Sequence, residues 1–196
     1  MAAYDSHTAL VVVDFQNDFA DRNGSLYVQG GEDVLGFINA EIESARTSNS
    51  QVVYSQDWHP ETTPHFHKDG GIWPVHCVSS TWGAHFYPGL LVAEAGEVIR
   101  KGTAGEDGYS AFSVRDPRSG ASRATQLESL LRDRGVERLV VLGLATDYCV
   151  KDTVLDARRL GFVTEVPLAG IRAVNLKPDD GAEAIAAMAA AGAHVL

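Results

Sequence analysis

Two segments of the sequence are apolar at consecutive positions over most of the length of a strand. Val11, Val12 and Val13 lie in the first, and residues 139–142 form the second. A strand with one face in water alternates apolar and polar side chains, whereas a strand buried on both faces is continuously apolar. These segments therefore predict the centre of a parallel sheet that is covered by helices on both faces.

Further strands and helices alternate along the chain. The predicted strands are residues 9–14, 51–56, 97–100, 138–142, 162–166 and 193–196. Apolar residues recur at helical spacing in residues 34–45, 127–131, 150–160 and 182–191. Ser122 is a predicted N-cap before the second helix, and Gly161 and Gly192 are predicted to end the last two. The alternation predicts a three-layer α/β fold, with an αβα sandwich architecture.

Length and charge limit the classes of protein to consider. The chain has 196 residues, of which 45% are hydrophobic, so we expect a single domain with a sizeable core that spans residues 1–196. The formal net charge is -10, and the Lys and Arg residues are scattered. A negative protein repels a polyanion, and no basic run favours a membrane surface. We expect neither a nucleic-acid nor a membrane partner.

The N-terminal residues and the cysteines indicate the cellular compartment. Residues 1–20 lack the basic start, apolar stretch and small-residue cleavage site of a secretory leader. Only Cys77 and Cys149 are present, so a disulfide framework is not expected. These features predict a cytoplasmic protein with free thiols, one of which is reactive.

Two long segments interrupt the alternation of strands and helices. They are residues 57–88 and 102–122, which are rich in Gly, Pro, Ser, His and aromatic residues. Loops of this length inside a compact domain are usually functional or disordered. Their aromatic content argues against disorder, because disordered segments are poor in such residues. We therefore expect functional loops.

Three reactive residue types follow predicted strands. Asp14 ends the first strand, Lys101 follows the third, and Cys149 lies in a strand-to-helix turn. In open parallel sheets, ligands bind beyond the carboxyl ends of the strands. Singly, each residue is more simply a cap, a solvated charge or a buried thiol. Together they predict a nucleophile, with the carboxylate as its base and the lysine stabilising both the carboxylate and the thiolate.

Histidines and a carboxylate are dense in the first long loop. They are Asp57, His59, His65, His67 and His76. One carboxylate with two or three imidazoles suits Zn(II), Fe(II), Mn(II) or Co(II) and leaves coordination positions open for water or substrate. The alternative is a polar loop without a metal. Spacing alone does not choose between His65 and His67.

Five separated blocks resemble the nicotinamidase branch of the isochorismatase-like cysteine hydrolases. The blocks are Asp14-Phe15-Gln16-Asn17-Asp18-Phe19, Asp57-x-His59, Trp73-Pro74-x-His76-Cys77, Lys101-Gly102 and Gly143-x-Ala145-Thr146-Asp147-x-Cys149. They occur in the order found in that family, and the resemblance extends from about Ala9 to the C terminus. It implies a Rossmann-like central parallel sheet of six strands flanked by helices.

The resemblance also implies roles for individual residues. Asp14 would be the general base, Lys101 its electrostatic partner and Cys149 the nucleophile. A cis peptide between Leu144 and Ala145 would direct the amides of Ala145 and Cys149 at an oxyanion. The implied metal ligands are Asp57, His59, His76 and, by its spacing, His65. The implied aromatic walls of the substrate pocket are Phe19, Trp73 and Tyr109. Tyr148, where close relatives often have another polar residue, would shape the rim of the pocket.

The activity implied by the resemblance is hydrolysis of nicotinamide to nicotinate and ammonia through a thioester on Cys149. This reaction belongs to pyridine nucleotide (NAD) salvage. The resemblance also implies one divalent metal ion, with Zn(II) first among the candidates. A homo-oligomer is expected by analogy. An isochorismatase or a hydrolase of a carbamoyl or ureido substrate is the alternative within the same family, although such relatives typically lack the histidine set. A metal-binding or thiol-sensing protein is the non-enzymatic alternative.

Overall fold

The computed structural model describes residues 2–196 and confirms the predicted alternation. The strands are β1 (Thr8–Val13), β2 (Gln51–Asp57), β3 (Glu97–Lys101), β4 (Ser113–Arg115), β5 (Ser122–Ala124), β6 (Arg138–Leu144), β7 (Val163–Val166), β8 (Ile171–Arg172) and β9 (His194–Val195). The helices are α1 (Asn17–Ala20), α2 (Leu35–Thr47), α3 (Leu127–Asp133), α4 (Lys151–Arg159) and α5 (Asp180–Ala190). Each predicted strand and helix is present, with small shifts at its ends.

The central sheet is parallel, as the sequence predicts. Its strand order is β3-β2-β1-β6-β7-β9, and the short strand β8 also pairs with β6. Val11 is in register with Val53 on one side and with Val141 on the other, at the middle of the sheet. Val11, Val12 and Val13 are each fully buried, which confirms that β1 is covered on both faces.

Each face of the sheet packs against its own apolar core. Val11 and Val141 face a cluster that includes Leu131, Val154 and Met188 from helices α3, α4 and α5. The opposite face contributes Val12 and Val140 to a second cluster, which includes Ile38 and Ile42 from helix α2. Burying one such aliphatic side chain contributes about 1.5–3 kcal/mol to folding. The three-layer arrangement therefore follows directly from the continuous apolar strands.

Some local predictions were wrong or incomplete. Ser122 does not cap helix α3, because it lies in β5, and Gln126 occupies the N-cap position. The β4–β5 hairpin and strand β8 were not predicted. Residues of β5 are exposed, and β8 has only two residues, so neither carries an apolar pattern. Within residues 2–196, the helices are all too short or too polar to cross a bilayer.

The topology brings the carboxyl ends of four strands to one edge of the sheet. Asp57 at the end of β2 is in register with Lys101 at the end of β3. Val13 at the end of β1 is in register with Gly143 near the end of β6. Gly143 has a φ of 115°, and a Cβ there would lie 2.0 Å from the carbonyl oxygen of Val13. The close approach of β1 and β6 at this edge therefore requires glycine.

Candidate active site

Asp14, Lys101 and Cys149 meet at this edge of the sheet. Asp14 follows β1 with a φ of 44°, a conformation that is uncommon for a residue with a side chain. Its Oδ2 lies 2.6 Å from Nζ of Lys101, and its Oδ1 accepts a hydrogen bond of 2.6 Å from the hydroxyl of Ser55. The sulfur of Cys149 and the carboxylate oxygens of Asp14 and Asp57 lie within 4.8 Å of one another. The structure therefore brings the three predicted residues together.

The ammonium group of Lys101 is enclosed by oxygen atoms. Besides Asp14, it lies 3.1 Å from Oδ1 of Asp57 and donates to the carbonyl oxygens of Gly108 and Tyr109. Burial opposes the charged form, but the two carboxylates outweigh it and hold the pKa of Lys101 well above its usual value. Lys101 is therefore a fixed positive charge shared by two carboxylates.

The two carboxylates differ in their titration. Burial raises the pKa of Asp14 to about 6, against the opposing effect of Lys101 and with a further rise from Asp57. Burial also acts to raise the pKa of Asp57, but Lys101 and the histidines His59 and His76 hold it well below its usual value. At neutral pH both groups are ionised, and Asp14 is the one whose basicity is suited to accepting a proton.

The state of Cys149 differs from the sequence-based expectation of a stabilised thiolate. Burial raises the pKa of its thiol well above the usual value, and the charges of Asp14 and Asp57 add to the rise, although Lys101 opposes it. Cys149 also does not begin helix α4, because it lies in a π-helical turn, Thr146–Val150, that precedes it. The raised pKa favours the neutral thiol, so Cys149 would need a base in order to act as a nucleophile.

A second cluster lies beside the first. Ring nitrogens of His59, His65 and His76 lie within 4.8 Å of one another. Oδ2 of Asp57 is 3.7 Å from Nε2 of His59 and 3.8 Å from Nε2 of His76. All four side chains are buried, whereas His67 is exposed. Of the two histidines that spacing did not distinguish, the structure places His65 in the cluster.

The hydrogen bonds of this cluster fit a divalent cation. Among residues 2–196, both ring nitrogens of His59 are buried without a hydrogen-bond partner. Nδ1 of His76 lies 2.7 Å from the carbonyl oxygen of Pro74. Because a carbonyl oxygen can only accept a hydrogen bond, Nδ1 carries the proton and Nε2 keeps its lone pair for a cation. Unpartnered buried groups cost about 1–3 kcal/mol each. A cation bound by one of the two nitrogens of His59 would remove part of that cost, and it would balance the excess of carboxylates over ammonium.

An apolar cavity opens over Cys149. Its lining includes Phe19, Leu26, Trp73, Tyr109, Tyr148 and Val174, together with His65, His76 and Asp57 from the second cluster. The indole N–H of Trp73 donates to the hydroxyl of Tyr109 at 2.7 Å, and the rings of Trp73 and Tyr148 meet edge to face at 4.8 Å. All four aromatic residues of the sequence prediction thus line one cavity.

The nucleophile turn, residues 145–150 around the predicted nucleophile Cys149, has a backbone hydrogen-bond donor at its start. The peptide between Leu144 and Ala145 is cis, as the resemblance implies. The amides of Tyr148 and Val150 donate to the carbonyl oxygen of Ala145. The amide of Ala145 itself donates to no acceptor within the described part of the chain. It is therefore available to an oxygen atom of a ligand in the cavity.

Gln16 and Asp18 lie in the Asp14–Phe19 motif, and the sequence predicts no role for either residue. The side-chain amide of Gln16 donates to the carbonyl oxygen of Asp57, and its oxygen accepts from the Asp57 amide. The carboxylate of Asp18 accepts from the amides of Ser25 and Cys77. These side chains hold the backbone next to two members of the histidine and carboxylate cluster. Their only sequence signal is polarity within a segment that proves to be buried.

Asp147 has a similar function on the other side of the cavity. It lies two residues before Cys149, and its carboxylate accepts from the amides of Val174 and Asn175 at 2.9 and 2.8 Å. Asp147 is buried, and Val174 lines the cavity. The nucleophile turn and the loop before helix α5 are therefore tied together by one carboxylate.

The fold and the site define a three-layer α/β protein with a buried cysteine, aspartate and lysine cluster at the carboxyl edge of its sheet. The isochorismatase domain family matches residues 8–196, which is nearly the whole chain. The chain therefore belongs to the isochorismatase domain family.

The chain is similar to named amidases in sequence and to solved structures in fold. The Nicotinamidase of Escherichia coli (strain K12) is 39% identical over 201 residues, which cover 94% of this chain and 92% of the relative. The solved pyrazinamidase of Pyrococcus horikoshii in complex with zinc has a TM-score of 0.86 and 34% identity, with 97% and 98% of the two chains covered. A solved L. infantum protein in complex with nicotinate has a TM-score of 0.89 and 36% identity, with 100% and 95% covered.

Proposed function

We propose that this protein is a metal-dependent amidohydrolase that converts nicotinamide to nicotinate and ammonia through a thioester on Cys149. The observation that carries the proposal is the position of one aromatic cavity between the Cys149 cluster and the histidine cluster. The names of the E. coli and P. horikoshii relatives support an amidase of this kind. The nicotinate bound to the L. infantum protein supports a pyridine carboxylate product.

The cavity matches the parts of nicotinamide. Phe19, Trp73 and Tyr109 provide apolar surface for the pyridine ring, while the carboxamide carbon lies over the sulfur of Cys149. The ring nitrogen then points toward His65 and His76, which line the same cavity. Asp57, His59, His65 and His76 would hold a divalent cation, with Zn(II) first among Zn(II), Fe(II), Mn(II) and Co(II). Such a cation would supply a Lewis acid for the ring nitrogen.

Formation of the thioester uses Asp14 as the base. Asp14 takes the proton of the Cys149 thiol as the sulfur attacks the amide carbon, and the amide oxygen becomes an oxyanion. The amides of Ala145 and Cys149 donate to that oxygen. Asp14 then gives the proton to the amide nitrogen, the C–N bond breaks, and ammonia leaves. Lys101 stays positively charged throughout. It therefore stabilises the carboxylate form of Asp14 each time Asp14 has given up its proton.

Hydrolysis of the thioester repeats these steps with water. Asp14 accepts a proton from the water molecule, whose oxygen attacks the thioester carbon. The C–S bond breaks, and the departing sulfur receives the proton from Asp14. The nicotinic acid that forms ionises to nicotinate by releasing its remaining proton to solvent. The thiol of Cys149 is then neutral again, in agreement with its raised pKa.

An ammonia-release assay on nicotinamide, carbamoyl amides and ureido acids tests the substrate class. We expect a clear preference for nicotinamide, and a preference for a ureido or carbamoyl substrate would overturn the proposal. Mass spectrometry of acid-quenched enzyme should find the added nicotinoyl group on the peptide with Cys149. The Cys149→Ala variant should lose turnover and the adduct, whereas Cys77→Ala, which removes the other thiol, should keep both.

A further inference from the structure

Asp107 contacts the histidine cluster from a different part of the chain. Its Oδ1 lies 2.7 Å from Nδ1 of His65, although the two residues are 42 positions apart in sequence. The side chain of Asp107 is 23% exposed, and that of His65 is 4% exposed. Asp107 therefore lies at the outer side of the cluster, between His65 and solvent.

The backbone holds this carboxylate in place. The amide of Asp107 donates to the carbonyl oxygen of Arg115 at 2.8 Å, and the amide of Arg115 donates back at 2.9 Å. Arg115 is the last residue of β4, which pairs with β5 in the hairpin. The neighbouring Glu106 accepts from Arg123 of β5 at 2.6 Å. The hairpin therefore fixes the position from which Asp107 reaches His65.

The contact sets the proton arrangement of the imidazole. A carboxylate accepts hydrogen bonds, so Nδ1 of His65 carries the proton and Nε2 keeps its lone pair. His76 obtains the same arrangement from the carbonyl oxygen of Pro74, and Nδ1 of His59 has no partner within residues 2–196. Of the three histidines, His65 is the one whose Nδ1 lies within hydrogen-bond distance of a carboxylate. A charged partner at Nδ1 makes Nε2 a stronger electron donor.

We propose that Asp107 is a positioning residue of the metal site. It fixes the ring orientation and the Nδ1–H form of His65, and it couples the β4–β5 hairpin to metal binding. This inference rests on the proposed metal site, and it assigns a role to a residue outside the ligand set.

Metal affinity is the first test. The dissociation constant for Zn²⁺ is measured on metal-free protein by competition with a chromophoric chelator. Loss of an outer partner of a ligating histidine weakens metal binding roughly 10- to 100-fold, which we expect for Asp107→Ala. Asp107→Asn should fall between Asp107→Ala and the parent, because its amide oxygen still accepts the hydrogen bond but carries no charge.

Arg123→Ala is the matched control. It removes the ion pair between Arg123 and Glu106 and leaves Asp107 in place. If Asp107→Ala acted only by loosening the hairpin, Arg123→Ala would weaken Zn²⁺ binding to the same extent. We expect Arg123→Ala to stay within about twofold of the parent, since it removes no contact of His65.

The ring nitrogens of His65 give a readout that needs no metal. Long-range ¹H–¹⁵N spectra of the metal-free parent should show His65 protonated at Nδ1, and Asp107→Ala should show a mixture of forms. Parent-like Zn²⁺ affinity and His65 spectra in Asp107→Ala would overturn the inference and leave the metal site intact. A parent protein that does not bind Zn²⁺, Mn²⁺, Fe²⁺ or Co²⁺ would overturn the proposed metal site and this inference with it.

Discussion

Cys149 and Asp14 lie close together, and burial raises the pKa of both groups. The thiol is buried and neutral, and Asp14 is the carboxylate whose oxygens lie within 4.8 Å of its sulfur and whose pKa is raised to about 6. The thiolate is the nucleophilic form of cysteine, so a buried neutral thiol needs a neighbouring base to accept its proton. At the scale of single residues, the proposed reaction therefore depends on proton transfer between these two side chains.

Asp14→Asn should remove the base and keep the size of the side chain. We expect kcat for nicotinamide to fall by about 10²–10⁴-fold, the range of general acid–base catalysis. Steady-state ammonia release measures the loss. Asp133→Asn, which changes an exposed aspartate at the end of helix α3, is the control and should match the parent. Turnover of Asp14→Asn close to the parent would assign the base to another group.

The pKa of Asp14 predicts the acid side of the pH profile. Asp14 must be ionised to accept the thiol proton, so kcat/KM should fall as the pH drops through about 6. Below that value, we expect roughly a tenfold loss for each pH unit, as for a single essential base. A stopped ammonia assay from acidic to neutral pH measures the profile. A rate independent of pH down to about 4, the ordinary value of an aspartate, would contradict the assignment.

At the scale of secondary-structure elements, the sequence predicted those strands and helices that have a periodic apolar pattern or carry a recognisable motif. Strands β1 and β6 were predictable because burial on both faces requires consecutive apolar residues. The β4–β5 hairpin was not, because Ser122, Arg123 and Ala124 are exposed and need no apolar pattern. The same limit applies to the site. Asp14, Lys101 and Cys149 follow strands, whereas the contact of Asp107 with His65 depends on how two distant loops fold together.

The link between the nucleophile turn and the loop before helix α5 gives a prediction at this scale. Asp147→Ala removes the acceptor for the amides of Val174 and Asn175, so the cavity wall at Val174 should become mobile. We expect KM for nicotinamide to rise more than kcat falls, and stability to drop by about 1–3 kcal/mol.

Steady-state kinetics and urea unfolding check these two effects of Asp147→Ala. Asp147→Asn is the conservative variant. Because its amide oxygen can still accept a hydrogen bond, its KM should lie between that of Asp147→Ala and that of the parent. An equal loss in kcat and kcat/KM, with no change in KM, would show that Asp147 acts on the chemical step and not on the cavity wall.

At the scale of the whole molecule, both clusters lie on one edge of one sheet. Asp57 links them, because Oδ1 lies 3.1 Å from Nζ of Lys101 and Oδ2 lies near the rings of His59 and His76. We expect residues 1–196 to behave as a single domain with one cooperative unfolding transition. Calorimetry that resolved two transitions would contradict this expectation.

A cation bound to Asp57 and the histidines should stabilise the whole fold, because its ligands come together only in the folded chain. At a free concentration one hundred times its Kd, the gain is about 2.7 kcal/mol, and the expected rise in Tm is roughly 5–10 °C. Thermal melts of chelator-treated protein with and without Zn²⁺ measure the shift. Mg²⁺ is the control, because it prefers oxygen ligands and should shift Tm little at a site of three imidazoles. Equal shifts with the two ions would mean that the stabilising site is not the histidine cluster, since only a softer cation gains from binding imidazole nitrogen.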